Sequence, residues 1–155
     1  MMKGRYTAKP EGEFVLFLIG MRFNKWWRID KWFSVFLVMP RMLRELYKQP
    51  ELGLLHHEMW FSRTIILVQY WKSADQLIAY ANAKDAEHLP AWKAFNRSVK
   101  DDSVGIWHET YVIKPGQYET IYANMPRFGL GAATALQEAN GALARASTRM
   151  TTKTD

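Results

Sequence analysis

The chain contains no cysteine. That single absence removes disulfides, thiolate metal ligands, iron–sulfur ligation and cysteine nucleophiles together. Histidine is scarce, with four in 155 residues. No Glu-x-x-His pair and no two histidines four apart occur, so the sequence offers no dedicated metal site. Long apolar runs are missing as well. Phe14–Met21 and Trp32–Met39 are apolar but for one Gly and one Ser, far short of the roughly 20 residues that a membrane-spanning helix needs. Arg22, Lys25, Arg28, Asp30 and Lys31 stand between them. Met1-Met2-Lys3-Gly4-Arg5 leads into polar sequence rather than an apolar core, so no secretory signal pattern is visible. A cytoplasmic protein without membrane contact is expected.

What is present is apolar and aromatic residue, 48% and 14% of the chain, with 21 Lys plus Arg against 15 Asp plus Glu. This length builds one sizeable core, so a single domain over residues 13–146 is expected, with flexible tails at 1–12 and 147–155. The net charge of +6 concentrates in Arg22–Lys48, which holds seven basic residues against Asp30 and Glu45. The cluster Lys25-Trp26-Trp27-Arg28 superficially fits a nucleic-acid surface. A solvated helix face beside an aromatic loop accounts for the same residues, and no nucleic-acid partner is expected.

Along the chain, Phe14–Phe23 reads as a strand buried on both faces. Between Ile29 and Lys48 the period changes: Trp32, Val35, Phe36, Met39, Met42, Leu43 and Leu46 recur at three and four, a helix stripe. Asp30 is its candidate cap, Pro40 would bend or split it, and Gln49-Pro50 would end it. Gly53–Phe61 and Thr64–Trp71 form a hairpin. Ser73 opens a helix over Ala74–Asn82, followed by a second helical stretch from His88 to Lys100. Val104–Ile113 alternates as a strand, Tyr118–Asn124 suits a further strand, and Gly131–Arg145 reads as an Ala-rich helix. Strand, helix, strand, strand, helix, strand is the split βαβ, ferredoxin-like α+β order, an antiparallel sheet with helices on one face. A homodimer is the simplest way to cover the other face.

His88, Trp92 and Asn96 share one helix face that could line an apolar pocket with a few orienting polar groups. Equally, His88 could bond nearby backbone and Trp92 fill the core. His108 falls on the strand face of Ile106, Thr110 and Val112, opposite Trp107, Glu109 and Tyr111; it reads as a core histidine or as an acid–base group. Arg22, Asn24 and Trp27 follow the first strand and Tyr70 ends the third, where they would rim a pocket between sheet and helices. His56 and His57 point to opposite faces of a strand and cannot chelate one metal. Gly129-Leu130-Gly131 reads as a turn.

Several segments taken together resemble a known family: Phe17-Leu18-Ile19-Gly20-Met21-Arg22, Met39-Pro40-Arg41-Met42-Leu43, Gln69-Tyr70-Trp71, His88-Leu89-Pro90-Ala91-Trp92, Gly105-Ile106-Trp107-His108-Glu109-Thr110-Tyr111 and Asn124-Met125-Pro126-x-Phe128-Gly129-Leu130-Gly131. Over residues 14–133 the sequence resembles the monooxygenase-like family related to a monooxygenase of fungal fumagillin biosynthesis, in the dimeric α/β barrel superfamily. The resemblance implies a homodimer with a pocket between sheet and helices. It implies oxidation by O2 of an aromatic or polyketide-like small molecule, without metal or flavin. Asn24 and Asn96 would then orient oxygen atoms and His108 or His88 act as base, with Arg22, Trp27, Tyr70, Trp92 and Trp107 against the substrate. Two alternatives stand beside this. A heme enzyme, heme-degrading or aldoxime-dehydratase-like, would take His88 or His108 as ligand, and a non-catalytic dimer would keep the pocket for small-molecule binding only.

Overall fold

A computed structural model describes residues 1–83 and 102–151. Its centre is the apolar run Phe14–Phe23, which forms the ten-residue strand β2, preceded by β1 at Arg5–Lys9. Antiparallel partners flank β2 on both sides: β4, Thr64–Trp71, and β5, Val104–Ile113. Strand β3, Leu54–Trp60, extends the sheet beyond β4, giving the order β3-β4-β2-β5. With helix α1, Ile29–Lys48, between β2 and β3, and helix α2, Ala74–Asn82, between β4 and β5, this is the expected ferredoxin-like α+β sheet.

Pleat alternation decides what each face buries. In β4, Ile65, Leu67, Gln69 and Trp71 are buried and the residues between them only half so. The buried set faces the helices: Val15, Leu54, Leu67 and Trp71 pack with Leu43 and Leu46 of α1 and Leu77 and Tyr80 of α2. Each such side chain withdrawn from water contributes about 1.5–3 kcal/mol before chain entropy is counted. A second cluster, Met21, Ile65 and Val104, lies under Trp32 and Phe36 near the start of α1.

The ends of these elements follow local chemistry. Ser73 accepts from the Gln76 N–H at 3.2 Å and opens α2 as its cap. Asp30, expected as the cap of α1, lies inside the first turn instead, because the Arg28 guanidinium engages both its oxygens at 3.0 Å. Pro40 is accommodated within one helix assignment, exposed on its outer side, so α1 is not split there. The hairpin between β3 and β4 lacks Gly or Asn; Ser62 takes their role, its hydroxyl donating to the Thr64 carbonyl and accepting from the Thr64 N–H.

The chain ends depart from the sequence reading. Residues 1–12 were expected to be a tail, yet β1 pairs with β6, Tyr122–Ala123, and β7, Ala135–Glu138, in a second antiparallel sheet. Thr7 and Ala8 are buried there. The expected Ala-rich helix over Gly131–Arg145 breaks into a short helix α3, Leu130–Ala133, the strand β7, and a 3-10 turn at Gly141–Ala144. Pairing with β1 outweighs the helix preference of alanine at Ala135. Beyond it, Ala146–Thr151 forms helix α4 rather than a frayed tail, and Arg149 is anchored by an ion pair with Glu119 and by donating to the Leu143 carbonyl at 2.7 Å. The small sheet lies over one end of the large sheet's second face, where Ala8, Phe14 and Leu130 enclose a cluster bordered by Tyr70, Ile113, Tyr118 and Tyr122.

Candidate functional site

The strand register assigns each candidate residue to a face. Ile19 stands directly opposite His108 and Phe17 opposite Thr110, while the same side chains of β2 face Leu67 and Gln69 of β4. His108 therefore lies on the helix-covered side of the sheet, with Ile106, Thr110 and Val112 as its neighbours along β5. Its ring meets that of Phe17 at 5.9 Å, tilted by 47°. The expected face is observed, but the apolar enclosure is not: His108, Thr110 and Val112 are exposed, because the packing of α1 and α2 centres on Val15, Leu67 and Trp71. An imidazole beside an aromatic ring, reachable from solvent, can exchange a proton with a flat apolar molecule lying on the strand.

Arg22, Tyr70 and Trp107 belong to the other face and do not meet His108. Trp107 pairs with Gly20, and Arg22 pairs with Gly105 and Thr64. The Arg22 guanidinium donates to the Thr64 hydroxyl at 3.0 Å, and the Asn24 amide nitrogen would lie 3.6 Å from a Cβ built on Gly105. Arg22, Asn24 and Trp107 thus converge near the start of β5 on the face opposite the helices, not at a mouth between sheet and helices. Trp27 is 61% exposed beside Trp26. His88, Trp92 and Asn96 lie outside the described residues.

Tyr70 enters an arrangement that sequence reasoning missed. Two backbone N–H groups of the turn at 129–131 bind side chains of the two sheets. Gly129 N–H donates to Glu58 Oε1 at 3.1 Å and Gly131 N–H to the Tyr122 hydroxyl at 2.8 Å. Tyr70 packs against the same turn at Leu130. Burial pushes the Tyr70 phenol up from its ordinary pKa, and Tyr122 and Glu58 nearby push it further. The turn expected at Gly129-Leu130-Gly131 is therefore a latch holding the small sheet to the large one, its N–H groups at 129 and 131 already engaged.

Glu58 Oε1 also contacts His56 Nε2 at 3.0 Å, a carboxylate–imidazole pair on one face of β3. Its sequence signal was the i, i+2 spacing, which puts both side chains on the same side of a strand. His57 points the other way, as expected, and meets the Tyr47 hydroxyl at 2.7 Å through Nδ1. Burial lowers the His57 pKa, and His56 lowers it further. Among the described residues no group of three or more His, Asp or Glu is placed to hold a metal ion.

Comparison with known proteins adds the family. The family described as Monooxygenase af470-like matches residues 14–130. A curated relative, the monooxygenase af470 of Aspergillus fumigatus, is 26% identical over 140 residues, covering 83% of this chain and 49% of its own length. The chain thus spans about half of that relative. Among solved structures, an aldoxime dehydratase aligns with 94% of this chain and 42% of its own at a TM-score of 0.52 and 16% identity, a likeness of fold. SnoaB, a cofactor-independent oxygenase from Streptomyces nogalater, aligns with 64% of this chain and 91% of its own at a TM-score of 0.46 and 14% identity. With three quarters of the sequence matched, and the β2-to-β5 sheet falling inside the matched segment, the chain belongs to the Monooxygenase af470-like family.

Proposed function

We propose that the protein is a monooxygenase that oxidises an aromatic or polyketide-like small molecule with O2, its own residues supplying the acid–base chemistry. The observation that carries the reading beyond family membership is His108, an accessible imidazole set against the Phe17 ring on the helix side of β2 and β5. In an anthrone-like substrate a ring-activated CH2 gives up a proton to His108. The resulting carbanion reduces O2: one oxygen atom becomes the new carbonyl, and the other leaves as water with both hydrogens of the CH2. Phe17 would stack on the substrate and exclude water from one side of it. Arg22 and Asn24 converge on the other face of the sheet, away from a substrate held at His108, and we propose His88, Trp92 and Asn96 as further substrate contacts.

The test is oxygen uptake with a panel of hydroquinones and anthrones. His108→Gln is expected to lower the rate by a factor on the order of 100, the lower end of what a general base contributes, with little effect on substrate binding. Uptake unaffected by His108→Gln would remove His108 from the reaction. No uptake across the panel, with tight binding of one member, would instead favour a binding protein. Hemin titration of the same samples tests the heme alternative: a Soret shift abolished by His108→Ala would make the imidazole an iron ligand.

A homodimer is part of the proposal. The second face of the sheet presents Leu16, Leu18, Ile66 and Val68 half-buried, with Tyr111 47% exposed, more apolar surface than the small sheet covers. A second copy packing there would bury it. Light scattering is expected to return twice the 18.1 kDa chain mass, and Leu18→Lys with Val68→Glu to return a single copy; a monomeric parent protein would sink this part.

A further inference from the structure

Trp26 and Trp27 are 68% and 61% exposed, and Ile29, Phe33 and Leu37 follow at 57%, 49% and 45%. At the hairpin tip Phe61 is 65% exposed. Single exposed apolar residues need no explanation, but a contiguous set marks an interaction surface. This set is contiguous. The two indoles lie 6.3 Å apart, Trp32 donates its indole N–H to the Trp26 carbonyl at 3.0 Å and stacks edge-on with Phe33, and Phe36 links Trp32 to Phe61. Ile29, Phe33 and Leu37 recur every four residues, so they form one line along the outer side of α1. The next position on that line is Arg41, with Arg44 and Lys48 exposed beyond it. One helix surface thus runs from aromatic and aliphatic to basic within five turns, and the proposed monooxygenase chemistry uses none of it except Trp27.

We propose that this end of the protein docks on the surface of an anionic lipid bilayer, with Trp26, Phe33, Leu37 and Phe61 at the boundary of headgroups and acyl chains and Arg41, Arg44 and Lys48 along the phosphates. Tryptophan is the side chain that settles at that depth, and amphipathic helices bind by buried apolar area together with attraction to anionic lipid. Spanning is a separate matter: no described helix is long and apolar enough to cross a membrane. The local charge selects lipid over a second copy. Arg22–Lys48 carries seven basic and two acidic residues, and a symmetric contact through this patch would bring that surplus against itself.

The full chain is tested by co-sedimentation with vesicles of phosphatidylcholine alone and of phosphatidylcholine mixed with phosphatidylserine. Binding is expected to the mixed vesicles, at least tenfold stronger than to the neutral ones and weakened by salt. Trp26→Ser with Phe33→Ser, and separately Arg41→Glu with Arg44→Glu, are each expected to weaken it at least tenfold while leaving the thermal midpoint in place, since all four side chains are exposed. Absence of binding to either vesicle overturns the proposal. So does equal binding to both that the Arg41→Glu, Arg44→Glu variant leaves intact. A light-scattering mass that falls only in the Trp26→Ser, Phe33→Ser variant, without vesicle binding by the parent protein, would make a second copy the occupant.

Discussion

Trp71→Ala is expected to destabilise the protein by about 5 kcal/mol, enough to leave much of it unfolded at room temperature. Trp71 is 1% exposed, packs 5.8 Å from the Tyr80 ring, and belongs to the cluster that joins both helices to the sheet. Truncating a buried aromatic to alanine costs about 3–5 kcal/mol through lost transfer energy and the cavity left behind. A second loss is specific to this site. The Trp71 indole donates at 2.8 Å to Oε1 of Gln69, itself only 2% exposed, and an acceptor stranded in the core costs a further 1–3 kcal/mol or so. Total stabilities of about 5–15 kcal/mol leave little margin. Trp71→Phe keeps most of the ring and removes the donor, so it should cost about 2 kcal/mol. Urea titrations followed by circular dichroism separate the two losses. Equal midpoints for parent protein and Trp71→Ala would show that this residue does not organise the core.

Gly20→Ala is the second large effect, and its direction is opposite to the usual preference of strands for alanine over glycine. A Cβ at Gly20 would lie 2.8 Å from the carbonyl oxygen of Ile65 in the neighbouring strand and closer still to the indole nitrogen of Trp107. The indole can swing away, but the carbonyl belongs to the β2–β4 ladder and moves only if the strands part. Overpacking of this kind costs about 1–3 kcal/mol, and the backbone clash puts Gly20→Ala near the top of that range. Trp107→Ala in the same chain should restore the part due to the indole and leave the part due to Ile65, so the double variant is expected to lie between parent and single variant. Additive losses would mean that the indole does not occupy the space over Gly20. The glycine is therefore the residue that makes room for the Trp107 indole over β2.

The elements that position the site were legible because their periodicities are strong. The continuous apolar run of β2, the three-and-four stripe of α1 and the Ser73 signature before α2 each follow from burial or capping that is local to the segment. The period of two in β5 gave the face of His108 correctly. What it left open was depth: which part of that face the helices cover depends on where α1 and α2 sit across the sheet, a tertiary fact absent from β5 itself. Tyr70 and Arg22 lie at strand ends, which suggests a pocket rim, but pleat parity sets both, one position from the buried Trp71 and Met21, opposite the helices. Residues 5–9 and 135–138 were misread for another reason. Arg5-Tyr6-Thr7-Ala8-Lys9 carries little apolar content of its own, and Ala135-Leu136-Gln137-Glu138 favours a helix, so each becomes a strand only in the other's company.

That mutual dependence bears on how the chain reaches its native state. Tyr6 pairs with Tyr122 and Thr7 with Gln137, 116 and 130 positions further on, so β1 has no partner until more than a hundred further residues have been made. At ribosomal speeds of about 5–20 residues per second the delay is roughly ten seconds, while the hairpin of β3 and β4 can close within microseconds of its emergence. The small sheet therefore closes later than the β3–β4 hairpin, and during that interval β1 is the segment that a chaperone or a neighbouring nascent chain would meet unpaired. A bulky fusion placed ahead of Arg5 would prolong that interval, and the yield of folded protein, more than its final stability, is where the difference would register.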